Sequence, residues 1–260
     1  MRDFYEAYYA LVEHSPVSHD FCETAFGKDL AQHGFADLEQ LELLIQHGGI
    51  GPETRALDLG CGNGMIAEYL SNRTGAHITG IDYIAHAIDC ARARTVAKSG
   101  RLEFMVGDIN RLELPPGGFD LIILIDTIYF SDDYAKTIRE LKTALRPGGK
   151  LAIFYSYGRE PDIAPEEFPK DRLPPEKTPL AEALRRNSLR FAARDLTALD
   201  YRNAQKRKEL LRKLKPRFEE ESAMFLYENR LGEANCISQS IENGLHKRYL
   251  YLATDDGGGE

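Results

Sequence analysis

The segment ALDLGCGNG, Ala56 to Gly64, places an acid, Asp58, and three glycines, Gly60, Gly62 and Gly64, behind a short apolar run. Glycines in a tight turn let the backbone approach a ligand closely. A helix starting there offers free N–H groups and a positive partial charge to an anion. A carboxylate and a pyrophosphate suit such a turn equally, so the turn alone names no ligand. Two more acids close apolar runs further on, Asp82 in ITGID and Asp108 in FMVGD. Asp82 stands about where a carboxylate accepts hydrogen bonds from ribose hydroxyls. Each acid by itself reads as a solvated strand end or a helix cap. Together, at the carboxyl ends of three successive strands, they read as a binding rim.

Positioning such a rim takes strands in register. Candidates are 55–60, 77–82, 102–108, 119–126 and 150–156, with helical stretches at about 63–72, 84–98 and 132–145 between them. Continuous apolar runs separated by helices indicate a parallel sheet covered on both faces. The RPGG at 146–149 stops the last of these helices. Residues 1–50 form a run of amphipathic helix candidates, a helical amino-terminal lid. Beyond Tyr157 come a proline-rich loop, a helix from Leu180 to Arg186 and a short strand at 188–196. A long helical stretch at about 198–243 follows, and then an alternating strand, KRYLYLAT, at 247–254. The sequence therefore predicts an α/β, doubly wound, mostly parallel seven-stranded sheet. Residues 51–260 form its core, with a helical cap insertion at 198–243. The tail from Thr254 to Glu260 reads as frayed.

Composition narrows the field. The chain has 260 residues, 43% of them hydrophobic and 28% charged, as in an ordinary globular domain. No stretch is apolar enough to span a membrane, and the acids Asp3, Glu6 and Glu13 are out of place in a signal peptide. The four cysteines show no C-x-x-C spacing, so neither a disulfide framework nor a metal site is expected, and a reducing, cytoplasmic setting fits. A net charge of −8 argues against a chain that coats polyanions.

Dinucleotide-binding Rossmann proteins share the glycine turn and the ribose acid, but their turn is G-x-G-x-x-G. This chain has G-x-G-x-G and a third acid. From Arg55 to Ser156 it resembles the class I S-adenosylmethionine-dependent methyltransferases. The resemblance implies a Rossmann-like fold, S-adenosyl-L-methionine as cofactor and S-adenosyl-L-homocysteine as product. By it, Asp58 and the turn of Gly60, Cys61 and Gly62 would hold the amino-acid end of the cofactor, with Asp58 near the ammonium. Asp82 would grip the ribose, with Tyr83 against the adenine. Asp108, with the backbone of Ile109, would contact the adenine amino group. The segment from Ile125 to Phe130 would line the reacting centre. Residues 26–44 are similar to the amino-terminal segment of small-molecule methyltransferases, including the phosphoethanolamine N-methyltransferases, whose first helices fold over the substrate. That group places an acid just after strand four, matched here by Asp126. It has a tyrosine and a histidine where this chain has Leu30 and Phe130. Those departures argue against phosphoethanolamine itself and leave a small amine open.

Methyl transfer is an in-line displacement, so the protein mainly positions a nucleophile and excludes water. Asp126 could hold a substrate ammonium; its plainer role is to cap a helix or bond loop amides. Tyr129 could face the acceptor or the sulfonium with its ring, or simply pack. His33 titrates in the range a general base needs, though an isolated loop histidine is often only exposed. Tyr5 and Tyr9, beside Tyr8, would reach substrate if the first helix closes as a lid. Residues 201–217 carry eight Lys or Arg against one Glu, a solvated face or a dock for an anionic substrate or RNA. The sequence thus favours methylation of a small molecule, an amine or another small nucleophile. RNA or protein methylation rests on the basic stretch and ranks lower. Another use of the cofactor, such as intramolecular cyclisation, or non-catalytic binding would share the same fold. No oligomeric state follows.

Overall fold

The computed structural model describes residues 2–159 and 163–255; the frayed tail expected at the carboxyl end lies, from 256 on, outside them. Three helices, α1 (Arg2–Val12), α2 (Pro16–Phe26) and α3 (Leu38–Gly48), precede the sheet. The alternating part runs β1 (Arg55–Leu59), α4 (Met65–Thr74), β2 (His77–Asp82), α5 (Ala85–Thr95), β3 (Leu102–Val106), β4 (Phe119–Ile125), α6 (Tyr134–Ala144) and β5 (Leu145–Gly158). Then follow α7 (Pro179–Arg186), β6 (Arg190–Asp195), α8 (Thr197–Glu220), α9 (Met224–Glu242) and β7 (His246–Thr254).

Strand side chains alternate between faces, and each buried strand feeds two cores. Leu57, Ile122, Leu124, Leu151 and Ile153 pack with Ile138 and Leu141 of α6 and with Leu180 and Leu184 of α7. Ala56, Leu121, Ile123, Ala152 and Phe154 pack the other way, against Leu41 and Leu44 of α3, Leu70 of α4 and Ile88 of α5. Burial on both faces is why these strands read as unbroken apolar runs. The sheet order is β3-β2-β1-β4-β5-β7-β6, with β7 antiparallel to both its neighbours. Strand order reverses between β1 and β4, and there a crevice opens beyond the carboxyl ends of the strands.

Three features differ from the sequence reading. The RPGG segment does not merely stop a helix: α6 ends at Ala144 and β5 starts at Leu145, with a register slip opposite Phe119 and Leu121. The long helical stretch is two helices, parted at Ser222, whose φ of 54° is left-handed. The lid and cap also regroup. Phe21 and Phe26 of α2 and Tyr8 of α1 share one core with Leu211 and Phe218 of α8 and Leu226 of α9, so the two helical segments form one layer. By contrast, α3, expected in the lid, packs on the sheet.

One buried cation ties these layers together. Arg248 of β7 is fully buried and forms a two-pronged ion pair with Asp126, Nη1 to Oδ1 at 2.5 Å and Nη2 to Oδ2 at 3.0 Å. It also donates to Gln40 Oε1 on α3 at 3.1 Å and to Ser156 Oγ on β5 at 3.1 Å. Asp200 on α8 lies 3.8 Å away, and the rings of Phe35 and Phe154 each lie 5.5 Å from the guanidinium carbon. Removing one member of a buried pair strands the other charge without solvent, which typically costs about 3–5 kcal/mol. Arg248→Met should therefore lower stability by about that much in urea unfolding. The double variant with Asp126→Asn should recover part of the loss. Equal midpoints for wild type and Arg248→Met would contradict the pair's role.

Candidate functional site

The crevice at the strand-order reversal is a cavity of about 330 Å³. Its floor comes from the carboxyl ends of β1, β2 and β4 and the turns after them: Asp58, the glycine turn, Asp82, Tyr83, Ile125, Asp126 and Thr127. Asp108 and Ile109, after β3, close one side. Its roof comes from α1, through Tyr5 and Tyr9, and from the loop of residues 30–36, which brings Gln32 and His33.

The glycine turn works by steric allowance. Gly60 has φ +81°, and a Cβ there would overlap Thr127 Oγ1; Gly62 has φ +55°, and a Cβ there would overlap the Tyr9 hydroxyl. Most of the turn's amides are already used. Gly60 and Cys61 donate to Ile81 O, Gly62 donates to Asp82 Oδ2 at 2.8 Å, and Gly64 donates to Cys61 O. Cys61 is buried, and burial pushes its thiol well above the usual range, so it packs rather than reacts.

The acids of the rim differ in what holds them. Asp82 accepts from the Gly62 and Ile84 amides, at 2.8 and 2.9 Å; burial raises its pKa while those amides oppose the rise. Asp108 is exposed, with Oδ1 accepting from Asn110 N at 2.9 Å. Asp126 lines the cavity, but Arg248 and the Phe35 amide, at 3.1 Å, already occupy its carboxylate. It sits at φ 55°, a left-handed backbone that fixes where it points. Asp58 stands apart. It is buried, lines the cavity and has no hydrogen-bond partner among the described residues. Burial first, and the Asp82 carboxylate second, push its carboxyl up to about 7.

The roof is aromatic. Tyr5 meets His33, Phe130 and Tyr83 edge to face, with centroids 5.1, 5.8 and 6.4 Å away, and burial raises the pKa of both the Tyr5 and Tyr9 phenols. His33 is packed by Phe4, Tyr5 and Tyr8, and its Nε2 lies 3.5 Å from Glu233 Oε1 on α9. Burial lowers its pKa, with the Glu233 carboxylate pulling the other way. Neither His33 Nε2 nor Gln32 Nε2 has a hydrogen-bond partner among the described residues, although both are buried. Glu233 is itself held by Arg207 Nη2 at 2.9 Å.

The structure thus gathers Tyr5, Tyr9, His33, Asp58, Gly60, Cys61, Gly62, Asp82, Tyr83, Asp108, Ile109, Ile125 and Asp126 around one cavity. Tyr129 is not among its walls. The ring stacks on Tyr155 at 5.4 Å, and the phenol oxygen accepts from Ser156 N, because the short helical turn at 128–130 aims it along β5. Sequence reasoning missed Arg248, Glu233 and Gln32. The available signal for Arg248 was its place in an alternating strand, on the face of Leu250 and Leu252 and opposite to Lys247; the other two carried none. Most of the basic stretch is the solvated face expected of it, with Arg202, Lys206, Arg212, Lys213 and Lys215 exposed; Arg207 is the exception. Arg207 is fully buried, and Arg202, Arg207, Lys213, Lys215 and Arg217 all pair with carboxylates.

Among known proteins, the family described as "Methyltransferase domain" matches residues 57–153. Phosphoethanolamine N-methyltransferase 1 of Arabidopsis thaliana is 32% identical over 146 residues, 56% of this chain and 29% of that protein. The chain therefore spans under a third of that relative's length. A structure of Haemonchus contortus phosphoethanolamine N-methyltransferase 2 with phosphomonomethylethanolamine and S-adenosylhomocysteine superposes with a TM-score of 0.76 at 20% identity, covering 91% of this chain and 56% of that one. The [4+2]-cyclase SpnF superposes with a TM-score of 0.66 at 18% identity, covering 84% and 80%. At those identities, the two superpositions establish the fold.

The Asp58 carboxyl yields a pH test on the ligand-free protein. In the unfolded chain it ionises near the ordinary value of about 4; in the folded protein it keeps its proton to about 7. Its stabilising contribution is full below pH 4 and is lost as pH rises through 7. That amounts to about 3 kcal/mol between pH 5 and pH 8. Asp58→Asn, which cannot ionise, should gain on wild type by that amount across the interval in urea titrations. Parallel curves for the two proteins would refute the assignment.

Proposed function

We propose that this chain, whose fold and matched segment are those of a class I S-adenosylmethionine-dependent methyltransferase domain, methylates a small nucleophile inside the cavity. The observation that carries this reading is Asp58, a buried, partnerless carboxylate beside a turn that tolerates no Cβ at Gly60 or Gly62. Such a wall fits the amino-acid end of S-adenosylmethionine, whose ammonium would supply the missing counter-charge. When bound, that molecule supplies a methyl group already activated on a sulfonium.

The chain's own residues hold, orient and enclose. Each Asp82 oxygen keeps a second lone pair for a ribose hydroxyl after accepting its backbone amide. Tyr83 and Ile109 offer faces for the adenine, and Asp108 an acceptor for its amino group. Tyr5 and Tyr9 in the roof and Phe130 in the wall present π faces, which favour a neighbouring cation, while α1 covers part of the cavity's mouth.

His33 is the proton acceptor in this reading. Burial keeps the imidazole uncharged near neutrality, and Glu233 stands ready to neutralise the imidazolium formed when it takes the acceptor's proton. Asp126, committed to Arg248, positions the loop rather than holding a substrate ammonium. With Leu30, Ala31, Ala36 and Phe130 also in the wall, the acceptor is a small molecule with an apolar body and one titratable N–H or O–H. Among the described residues no helix is long and apolar enough to cross a membrane. Five of the eight basic residues at 201–217 pair with carboxylates, which reduces the positive charge open to RNA, so macromolecular acceptors rank second.

Two experiments test this reading. Asp82→Ala should weaken S-adenosylhomocysteine binding by roughly ten- to a hundredfold in calorimetry, the loss of charge-assisted hydrogen bonds worth about 1.5–3 kcal/mol; unchanged affinity would refute the ribose role. With a labelled methyl donor and a panel of amines, phenols and carboxylic acids, label should pass to a small acceptor. His33→Gln should then lower kcat by roughly 10²–10⁴ while leaving cofactor affinity intact. Label found only in macromolecules, or a His33→Gln rate equal to wild type, would overturn the corresponding claim.

A further inference from the structure

Outside the cavity, three side chains from distant parts of the sequence meet where α1 abuts α5. Glu13 follows the last turn of α1, while His86 and Cys90 sit one helical turn apart on a single face of α5. Glu13 Oε2 lies 3.4 Å from His86 Nε2 and 3.2 Å from Cys90 Sγ, and the sulfur lies 3.7 Å from the same imidazole nitrogen. None of the three lines the cavity.

These separations carry information. Zinc binds thiolate at about 2.3 Å, imidazole at about 2.0–2.1 Å and carboxylate at about 2.0–2.2 Å. At tetrahedral angles, those bonds place the donor atoms about 3.4–3.6 Å from one another. The Glu13–His86–Cys90 triangle matches those edges to within a few tenths of an ångström. The donor set, one soft sulfur, one imidazole and one carboxylate, suits zinc or a neighbouring late transition metal rather than calcium or magnesium. The charges also balance: a carboxylate and a thiolate offset a divalent cation.

We infer that Glu13, His86 and Cys90 form a binding site for a zinc-class divalent ion that pins the end of α1 to α5. On uptake, the Cys90 thiol gives its proton to solvent, a sulfur–metal bond forms, and water fills the fourth position. The ion thereby fixes the helix that carries Tyr5 and Tyr9 over the cavity. The inference needs only the α1–α5 contact, so it stands whether or not the chain transfers methyl groups.

The test uses the full chain and cobalt(II) as a spectroscopic substitute for zinc. Cobalt should give a thiolate charge-transfer band and tetrahedral d–d bands at one equivalent, and zinc should displace it. Both bands should vanish in Cys90→Ser, and affinity should fall roughly tenfold or more in His86→Ala. With zinc, amide hydrogen exchange across residues 8–13 should slow in wild type and stay unchanged in Cys90→Ser. A missing band, a band that persists in Cys90→Ser, or α1 exchange indifferent to zinc would each overturn the proposal. Cys236, the exposed thiol, would carry a band that survives Cys90→Ser.

Discussion

A guanidinium without access to water must have its charge answered on the spot, and the region around Arg248 is arranged to meet that requirement. Asp126 answers it, and Gln40, Ser156 and Asp200 approach from α3, β5 and α8. The geometry propagates outward. Asp126 takes a left-handed backbone, and a Cβ on Gly34 would stand 2.9 Å from its Oδ2, which leaves room for little but glycine there. One residue on, Thr127 lies against Gly60, so the shape of the turn behind β1 depends on the loop behind β4. An ion pair between β7 and that loop thus reaches the cavity floor without itself needing a ligand.

Around the rim, four acids have four different environments. Arginine holds Asp126, backbone amides hold Asp82, solvent bathes Asp108, and Asp58 has nothing within hydrogen-bonding reach. Identical chemistry therefore yields a brace, two acceptors and one vacant counter-ion. Differences of this kind separate structural from ligand-facing carboxylates better than position in the sequence does.

Much of this was legible in the residues. The strands announced themselves because burial on both faces leaves unbroken runs such as LIILI at 121–125, and β2 begins and ends within a residue of its expected place. The glycine turn and the acids behind β1, β2 and β3 were visible for the same local reason: the chemistry lies within a few residues of the strand end that presents it. Contacts between distant segments were not visible. Nothing near Asp126 announces a partner 122 residues away, so its carboxylate read as a substrate holder, a helix cap or an acceptor for loop amides, never as half of an ion pair. For Tyr129 the residues left facing the acceptor and simple packing both open, because a single short helical turn decides which wall its ring joins. Arg207 looked like one more surface charge until Phe26, Phe35 and Glu233 enclosed it.

The insertion of β7 between β5 and β6 also orders events during translation. Asp126 leaves the ribosome long before Arg248 does, and until then the loop behind β4 carries an unanswered charge beside a gap in the sheet. A nascent chain can build the parallel strands and the glycine turn early. The floor of the crevice, however, takes its final form only when the antiparallel strand slides into place, so competence to hold a ligand comes late in synthesis.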